Sequence, residues 1–381
     1  MKIIFLGISG FPKGLAAIDK QRLLAKGLIH CGHNVYVVNS IGTHVKGEFL
    51  RKGKFEEIKY IYTSLFSYRP KIFLLRRINH ITAKILELIF LLFVKQDSSI
   101  VLSRNFFHIL NYKIISLLKG SKIVLLSHEH TTTKYKLFSF KFLNQYLYNK
   151  YVWKMMDAAF PISDVLEKEI KALNQSLPTL RIPAITDIAF IDSVEPKKGN
   201  YFLYCGAASY IEIVEFCIKA FEQLDDNETF LYLVVSGNQE NVKKIENRIA
   251  KSIKSKKIQR FSYLSYSDLI GYYKGAKGLL IPLRDTVQDT ARFPHKVAEY
   301  CASGVPIIST QIGEVSNYFK HEESAYLALE YDTKQYAKLM YSVLENHNNE
   351  NITANAKIVC RNNFDYKEYG TQISVFLENL K

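Results

Sequence analysis

Apolar and polar positions along the chain form two kinds of segment: short apolar runs of strand length, and longer stretches in which apolar residues recur at helical spacing. The amino terminus alternates them, with apolar runs at residues 3–6 and 35–38, a glycine-bearing loop at 7–14 and a helical stretch at 16–30. This order is typical of a βαβ unit. Further strands are predicted at residues 100–102, 123–126 and 158–162. The first half is therefore predicted to form a doubly wound parallel sheet.

The second half repeats the alternation. Its predicted strands lie at residues 201–204, 230–235, 258–261, 278–281 and 307–309, and its clearest helical stretches at 211–224 and 242–253. Residues 193–200 are polar and contain Pro196 and Gly199, which predicts a linker. At 381 residues the chain exceeds what one core usually serves. The sequence thus predicts an α/β protein with two Rossmann-like domains, at residues 1–192 and 201–365, that face a cleft.

The net charge of the chain predicts an anionic partner. Lysine and arginine number 51 against 36 acidic residues, a net +15, which suits a membrane surface, nucleic acid or a phosphorylated substrate. The five cysteines lack metal-ligand spacing and are odd in number, so we expect a reducing cytosol and no disulfide framework. The apolar run at the amino terminus is too short for a signal peptide, so no secretion is expected.

Residues 69–95 combine apolar and basic side chains. The apolar run at 85–94 contains Glu87 and reaches only about half of the ~20 residues that a spanning helix needs. Basic residues surround it, namely Arg69, Lys71, Arg76, Arg77, Lys84 and Lys95. A core helix with a solvated basic flank would show this pattern, and so would a helix lying on anionic lipid. We expect Arg69 to Lys95 to contact an anionic membrane surface, because this also accounts for the excess charge.

The stretch at 291–308 carries the most specific chemistry. It predicts a short helix leading into a buried strand, with Pro294 in the first helical turn and Gly304 in the left-handed position after its end. An exposed helix amino terminus carries unpaired N–H groups and partial positive charge, and Arg292 and Lys296 stand beside it. This arrangement suits a diphosphate. Glu299 shares a helix face with Lys296 and can accept hydrogen bonds from a ribose diol.

The pattern from Pro294 to Ile308, Pro-x-Lys-x-x-Glu-Tyr-x-Ala-x-Gly-x-Pro-Ile-Ile, resembles the donor-binding segment of retaining glycosyltransferases with the GT-B fold, family 4 in particular. Residues 157–163 and 181–187 resemble two weaker motifs of the same family. This resemblance implies that Glu299 binds the ribose of a nucleotide sugar. The resemblance also implies that the last helix, about residues 366–381, packs back on the first domain.

The chain departs from the family pattern at two places. The family usually has another glutamate eight residues before the one that Glu299 matches, where this chain has Ala291. The family also commonly has an arginine and a lysine after the first strand of its second domain, where residues 206–211 offer neither. Arg284, Arg292 and Lys296 are the available substitutes. Arg284 follows a predicted strand, so it either reaches the cleft or forms a surface ion pair.

Other predicted site residues follow strands of both domains. His128 matches a family histidine near the donor sugar, where it would orient the substrate. Gly14 lies in a loop that resembles the family's acceptor-side loop, although a helix entry turn would look the same. Glu314 either contacts the donor or caps the next helix. A metal site of His128 and His130 is conceivable, but no third ligand appears at a telling spacing.

The resemblance implies a retaining glycosyltransferase that moves a sugar from a nucleotide-diphosphate donor to a lipid-linked or surface-polysaccharide acceptor. We expect it in the cytoplasm, peripherally associated with the inner face of the cell membrane. The chain has no Asp-x-Asp triplet, the metal-binding pattern of another glycosyltransferase class, so metal independence and no cofactor are expected. The expected catalytic residues are His128, Arg292 and Lys296, and the expected substrate-binding residues are Gly14, Gly206, Arg284, Glu299 and Glu314.

Three alternatives differ in class. A nicotinamide dehydrogenase also uses doubly wound sheets, but Gly7, Gly10 and Gly14 lack its glycine spacing, and the second strand ends in Asn39-Ser40 rather than an acidic residue. A nucleic-acid-binding protein would explain the charge, but the lysines are dispersed and no nucleic-acid-binding motif is present, so no nucleic acid is expected. A degenerate GT-B protein that binds without transfer would explain Ala207 and Ala291.

Overall fold

The computed structural model describes residues 1–14, 16–128, 136–137 and 139–380. In chain order its strands are β1 (Lys2–Leu6), β2 (Asn34–Asn39), β3 (Lys52–Phe55), β4 (Ile58–Tyr62), β5 (Ser98–Val101), β6 (Lys122–Ser127), β7 (Ala158–Pro161), β8 (Tyr201–Ala207), β9 (Phe230–Ser236), β10 (Ile258–Phe261), β11 (Gly278–Ile281), β12 (Ile307–Thr310) and β13 (Tyr326–Ala328).

The helices, in chain order, are α1 (Ala16–His30), α2 (Phe73–Phe93), α3 (Phe106–Lys119), α4 (Phe140–Met155), α5 (Asp164–Leu173), α6 (Ile188–Ser193), α7 (Ile211–Glu222), α8 (Gln239–Ala250), α9 (Tyr266–Gly275), α10 (Val287–Ala291), α11 (Lys296–Ser303), α12 (Glu314–Tyr318), α13 (Thr333–Glu345), α14 (Asn349–Asn363) and α15 (Tyr366–Asn379). The chain divides into two compact units, one formed by residues 1–185 with the segment that starts at Tyr366, and the other by Thr186–Asp365.

The first unit is built on a sheet whose strand order, over the described residues, is β3-β4-β2-β1-β5-β6-β7. All neighbours are parallel except β3 and β4, which pair antiparallel. The hydrophobic pattern did not predict this hairpin. Its turn residues, Glu56 and Glu57, both have positive φ, a conformation that glutamate rarely adopts and that its sequence therefore does not signal. The predicted doubly wound parallel sheet is otherwise confirmed.

Helices cover both faces of this sheet. On one face α1 and α15 pack against the strands in a single core. The two helices approach at Gly27 and Gly370, where a Cβ on Gly27 would lie 2.7 Å from the Tyr366 carbonyl oxygen. The other face is covered by α2, α3, α4 and α5, which share a second core. Within the described residues, no helix has the length and apolar character needed to cross a bilayer.

The second unit contains an entirely parallel sheet, which in the described residues has the order β10-β9-β8-β11-β12-β13. Its buried core includes Phe202, Phe221 and Tyr336. The first five strands lie where the sequence predicts them, within a few residues at their ends. The short strand β13 was not predicted, because only three residues pair and the stretch lacks strong periodicity.

The division between the units differs from the predicted boundary. Residues 186–192 belong to the second unit, since the Thr186 amide donates to the Phe364 carbonyl at 2.8 Å. The segment predicted as a linker, 193–200, is also held there. The Lys197 amide donates to Gly271 at 2.8 Å and the Gly199 amide to Gly275 at 3.1 Å. Backbone hydrogen bonds therefore hold residues 193–200 against α9, although their composition predicts a linker.

A buried lysine in α1 gives the first unit a testable pH dependence. Lys20 is 3% exposed and its Nζ donates to the Ile182 carbonyl at 2.7 Å. Burial lowers its pKa from the ordinary 10.5 to about 7. Between these values the unfolded chain binds more protons than the folded chain, so the free energy of unfolding should rise with pH above about pH 7.

The expected result is that the wild type gains stability between about pH 7 and about pH 9, and that a Lys20→Met variant gains much less. Urea unfolding at both pH values measures the difference. An exposed lysine in the same unit, Lys46→Met, is the matched control and should retain the wild-type pH dependence. Equal pH dependence in Lys20→Met and the wild type would contradict a neutral buried Lys20.

Candidate functional site

The carboxyl ends of the second unit's parallel strands collect the unit's predicted site residues at one edge of the sheet. Gly206 lies near the end of β8, and Arg284 follows β11. Gly313 and Glu314 follow β12, and α11 carries Lys296 and Glu299 beside β8. Parallel strands place the loops that follow them at a common edge, which is the usual position of ligands in such sheets. The site is therefore assembled from several distant segments.

Helix α11 begins at Lys296, so Pro294 lies before the helix rather than in its first turn as predicted. The Pro294 carbonyl still takes part in the helix start, since it accepts a hydrogen bond from the Val297 amide at 3.0 Å. The predicted left-handed residue is confirmed, because Gly304 has φ of 71°. Val297 to Ser303 are all buried. Lys296 is half-buried, at the amino end of an otherwise buried helix.

Glu299 is a buried carboxylate, 7% exposed. The Tyr266 hydroxyl donates to its Oε1 at 3.1 Å, and the Tyr266 ring stacks on Phe190 with centroids 5.4 Å apart. Cys205 in β8 lies near both charged residues of α11. Burial raises the pKa of the Cys205 thiol, the Lys296 cation opposes this rise, and Glu299 adds to it. Lys296 and Glu299 thus lie together at the end of β8, as their spacing predicts.

The predicted arginines are organised by a carboxylate that the sequence analysis missed. Asp289, in α10, has no exposed surface. Its Oδ2 accepts from Arg284 Nε at 2.9 Å and from the Arg284 amide at 3.0 Å, and its Oδ1 lies 2.9 Å from a terminal nitrogen of Arg292. Burial alone would raise the Asp289 pKa, but hydrogen bonds from Arg284 and the Arg292 charge hold it below its ordinary value.

The sequence left open whether Arg284 reaches the cleft or forms an ion pair, and its contacts show an ion pair. Besides Asp289, its guanidinium contacts Glu212 at 2.9 Å. The guanidinium N–H groups of Arg284 thus point at these two carboxylates. Its contacts therefore give no support for direct substrate binding. Arg292 lies over the Tyr210 ring, with its guanidinium carbon 4.7 Å from the ring centroid. Its Nε is buried and makes no hydrogen bond within the described residues.

Two predicted residues of this unit, Gly206 and Glu314, also have structural contacts. A Cβ on Gly206 would lie 2.3 Å from the Tyr204 hydroxyl, so the packing of Tyr204 alone requires glycine there. Glu314 is 1% exposed and begins α12, where the Asn317 side-chain amide donates to it at 3.3 Å. Gly313 before it has φ of 56° and lies against Thr290. Glu314 therefore lies beside the helix that carries Asp289.

The two predicted residues of the first unit lie at the corresponding edge of its own sheet. His128 is half-buried and immediately follows β6. His130, its conceivable metal partner, lies outside the described residues. Gly14 precedes α1, and a Cβ there would lie 2.6 Å from Ile18 Cγ1. The packing of Ile18 thus explains this glycine, and the helix entry turn is the reading that its contacts support.

The loop before α1 depends on a residue whose role was missed. The Asn39 side-chain oxygen accepts from the amides of Gly10 and Phe11, at 3.0 and 3.1 Å, and Asn39 is fully buried. The sequence signal was present, since an amide ends a strand where dinucleotide-binding proteins have an acidic residue. For Tyr266 no such signal exists, because its partner Glu299 lies 33 residues further along the chain. Asp289 lies close in sequence to both arginines, but its five-residue helix is too short to show a periodicity.

Histidines, cysteines and carboxylates are the side chains that could hold a metal ion. In the ranges that the structure describes, no group of three or more histidines, cysteines, aspartates or glutamates is arranged to hold a metal ion. The five cysteines are all free thiols, and Cys301 and Cys360 donate to carbonyls of neighbouring helices.

Residues 186–359 match the family described as glycosyl transferases group 1. No protein of curated function matches the sequence. Among solved structures, sucrose-phosphate synthase from Thermosynechococcus elongatus matches with a TM-score of 0.79 at 14% identity, over 100% of this chain and 98% of that one. Anabaena Alr3699/HepE in complex with UDP matches with a TM-score of 0.72 at 14% identity, over the full length of both chains.

A glycosyltransferase from Rickettsia africae also matches, with a TM-score of 0.73 at 16% identity over 100% of this chain and 98% of that one. Identities this low establish the fold alone, whereas the family match covers nearly all of the second unit, including α10 and α11. The chain therefore has the GT-B fold of glycosyltransferases, and its second unit matches the glycosyl transferases group 1 family.

Proposed function

We propose that this protein transfers a sugar, with retention of anomeric configuration and without a metal ion, from a nucleoside-diphosphate sugar to a lipid-linked or surface-polysaccharide acceptor. The observation that carries the proposal is the pair of Lys296 and Glu299 on α11, at the carboxyl end of β8 in a group 1 domain. The buried carboxylate is suited to the ribose hydroxyls, and the half-buried cation one turn away is suited to the diphosphate of the same nucleotide.

Glu299 is proposed to accept hydrogen bonds from the ribose diol. The Tyr266 hydroxyl already donates to one oxygen of this carboxylate, which fixes its orientation. Lys296 and Arg292 are proposed to bind the diphosphate, with Lys296 placed to neutralise charge on the departing nucleotide. Arg284 is assigned a supporting role, because its donors are bound by Asp289 and Glu212. The HepE structure that shares this fold contains UDP, which supports a nucleoside-diphosphate donor.

Metal independence is proposed because cations of the chain can perform the same task. Lys296 brings a positive charge to the start of α11, Arg292 adds a second that is paired with Asp289, and the helix amino terminus adds its partial charge. Retention is proposed to follow from attack on the face that the leaving group occupies, without a protein nucleophile. In the first unit, His128 at the end of β6 is proposed to act on a substrate by hydrogen bonding.

Helix α2 supports the proposed membrane-bound acceptor and a location at the inner face of the cell membrane. Its apolar side chains Ile81, Ile85 and Leu92 are exposed to solvent, at 61%, 54% and 46%. Arg77 is also exposed. Lys84 is not part of this surface, because it donates to Ser40 and pairs with the buried Glu87 at 3.0 Å. The proposed lipid contact therefore uses the apolar row and the arginines of α2.

The donor site is tested by calorimetric titration of UDP, GDP, ADP, CMP and NADH into the wild type and into Glu299→Ala. One nucleoside diphosphate should bind the wild type, and the variant should bind it about 10–100-fold more weakly, because a hydrogen bond to a charged group contributes about 1.5–3 kcal/mol. The matched control is Glu228→Ala, an exposed glutamate just before β9, at the opposite edge of the same sheet.

Each other outcome has a distinct meaning. If none of the nucleotides binds, or if NADH alone binds, the donor-site assignment is wrong. Equal affinity of Glu299→Ala and the wild type would remove Glu299 from the site. If a nucleoside diphosphate binds but no sugar is transferred from any of its sugar derivatives, the protein binds without transfer, the alternative that Ala207 and Ala291 favour.

A further inference from the structure

Helices α2, α3 and α4 form one layer on the same face of the first unit's sheet. Leu91 of α2, Ile109 of α3 and Val152 of α4 are buried together in the core beneath this layer. Side chains on the opposite side of each helix therefore point away from the sheet, toward solvent. We call this outward side of the three helices the three-helix face.

The three-helix face is rich in large apolar side chains. Those that are exposed to solvent are Phe73, Leu74, Leu75, Ile78, Ile81, Ile85, Ile89, Leu92 and Phe93 on α2, Ile114, Leu117 and Leu118 on α3, and Phe140, Leu143, Tyr146 and Tyr151 on α4. Exposure is highest on the three helices at Phe93 of α2 (87%), Leu118 of α3 (73%) and Phe140 of α4 (66%). Folded proteins seldom leave an apolar surface this extended without a partner.

The charge of the chain is concentrated on the same segment. Residues 63–155 contain fifteen lysines and arginines and only three acidic residues, and so account for +12 of the net +15. Within α2, α3 and α4 the one acidic residue is Glu87, which is 1% exposed. The exposed basic residues include Arg77, Lys141, Lys150 and Lys154. The formal charge that these three helices present to solvent is therefore positive.

The aromatic side chains of α4 combine with this charge. Lys150 Nζ lies 5.4 Å from the Tyr146 ring centroid and 5.2 Å from that of Tyr151, and 3.1 Å from the Tyr146 hydroxyl. Tyrosine and lysine side chains with an apolar body and a polar end are typical of the interface between lipid tails and headgroups. The positive three-helix face ends at helix α5, which packs on the same core and carries the acidic residues Asp164, Glu167 and Glu169.

We propose that the whole three-helix face, and not α2 alone, lies on an anionic bilayer leaflet, with α3 and α4 contributing as much as α2. This inference extends the membrane contact of the proposed function. A bilayer satisfies both properties of the face, since anionic headgroups attract the lysines while the acyl region accepts the apolar side chains. A second copy of the chain would bring two positive surfaces together, and a nucleic acid would leave isoleucines and leucines exposed to water.

The test is co-flotation of the full chain with vesicles of phosphatidylcholine alone, or of phosphatidylcholine with about one third phosphatidylglycerol. The wild type should bind the anionic vesicles selectively, and added salt should weaken binding because it screens the lysines. Two variants remove the contribution of α3 and α4: the apolar variant Leu117→Ser/Leu118→Ser/Phe140→Ser and the charge variant Lys141→Gln/Lys150→Gln/Lys154→Gln.

We expect the charge variant to lower the partition coefficient on the order of 100-fold, since each lysine near an anionic surface contributes about a fivefold factor. The apolar variant should lose at least tenfold. Matched controls in the second unit are Ile253→Ser/Leu329→Ser, which alters side chains 83% and 76% exposed, and Lys243→Gln/Lys251→Gln/Lys338→Gln. Both controls should bind like the wild type, and urea unfolding of every variant checks that the altered unit is folded.

Several results would overturn the inference. If the α3 and α4 variants bind as tightly as the wild type while Ile81→Ser/Ile85→Ser loses binding, α2 alone contacts the membrane and only the extended face is wrong. If the wild type ignores all vesicles, both the extended face and the α2 contact are wrong, while the donor site is judged separately by calorimetry. Dimerisation that the apolar variant abolishes, or RNA binding that only the charge variant loses, would identify a different partner.

Discussion

Replacing Lys296 with methionine is expected to lower the turnover of sugar transfer by about 10²–10³-fold, while the affinity for the nucleoside diphosphate changes by less than about tenfold. Removing one preorganised group that stabilises developing charge commonly costs this much in rate. Lys296 stands at the first residue of α11, next to Cys205 and one turn above Glu299. Methionine keeps most of the length of the side chain and removes its charge, so the helix should persist.

The measurement is release of nucleoside diphosphate from the sugar donor identified by calorimetry, with turnover and Michaelis constant determined separately. Lys277→Met is the matched control, because Lys277 is exposed and precedes β11 at the far edge of the sheet. A loss in affinity equal to the loss in turnover would mean that Lys296 binds ground state and transition state alike. Unchanged turnover would remove Lys296 from the reaction.

The second large effect is expected from Asp289→Ala, which should destabilise the second unit by about 3–5 kcal/mol. Removing one partner of a buried ion pair leaves an uncompensated charge, and here two guanidinium groups lose the same carboxylate. The Asp289 pKa lies below its ordinary value of 3.8, so its stabilisation is complete at neutral pH and is lost only as the pH falls through that lowered pKa.

Urea unfolding at neutral pH, followed by fluorescence and by circular dichroism, measures this effect. Glu240→Ala removes an exposed ion pair with Lys244 in the same unit and should change stability little. Asp289→Asn separates charge from shape, since the amide can still accept one hydrogen bond but cannot balance the arginines. It should be destabilised as well, and its nucleotide affinity should fall if Arg292 loses its position. A stable Asp289→Ala variant would contradict the role assigned to this carboxylate.

The sequence predicted the parts of the site that lie close together along the chain. Lys296, Glu299 and Gly304 belong to one helix and its end, so helical spacing places them on known faces. Arg284 shows the limit of this reasoning. Its position after a strand was predicted correctly, but the same position allows a ligand contact or an ion pair, and only the locations of Asp289 and Glu212 distinguish them.

Other features were missed for different reasons. Asp289 lies five residues after Arg284 and three before Arg292, but its five-residue helix has no periodicity to show that the carboxylate is buried between them. Tyr266 follows a strand by a short irregular loop, and nothing in the sequence directs its hydroxyl to Glu299. The division at Thr186 was misplaced because hydrogen bonds, and not composition, attach residues 186–200 to the second unit.

The sequence by itself determined the two α/β sheets, the segment proposed to bind the donor and the excess of positive charge, because hydrophobic period, glycine placement and charge are local properties of a chain. Only the tertiary structure decided which charges meet and which surfaces remain exposed. It joined Arg284 and Arg292 through Asp289, turned Lys84 inward to the buried Glu87, and left the apolar side of α2, α3 and α4 facing solvent. The physical reason is that burial depends on how segments pack. The partners of Asp289 and Glu87 are close in sequence, but only packing removes these two carboxylates from water.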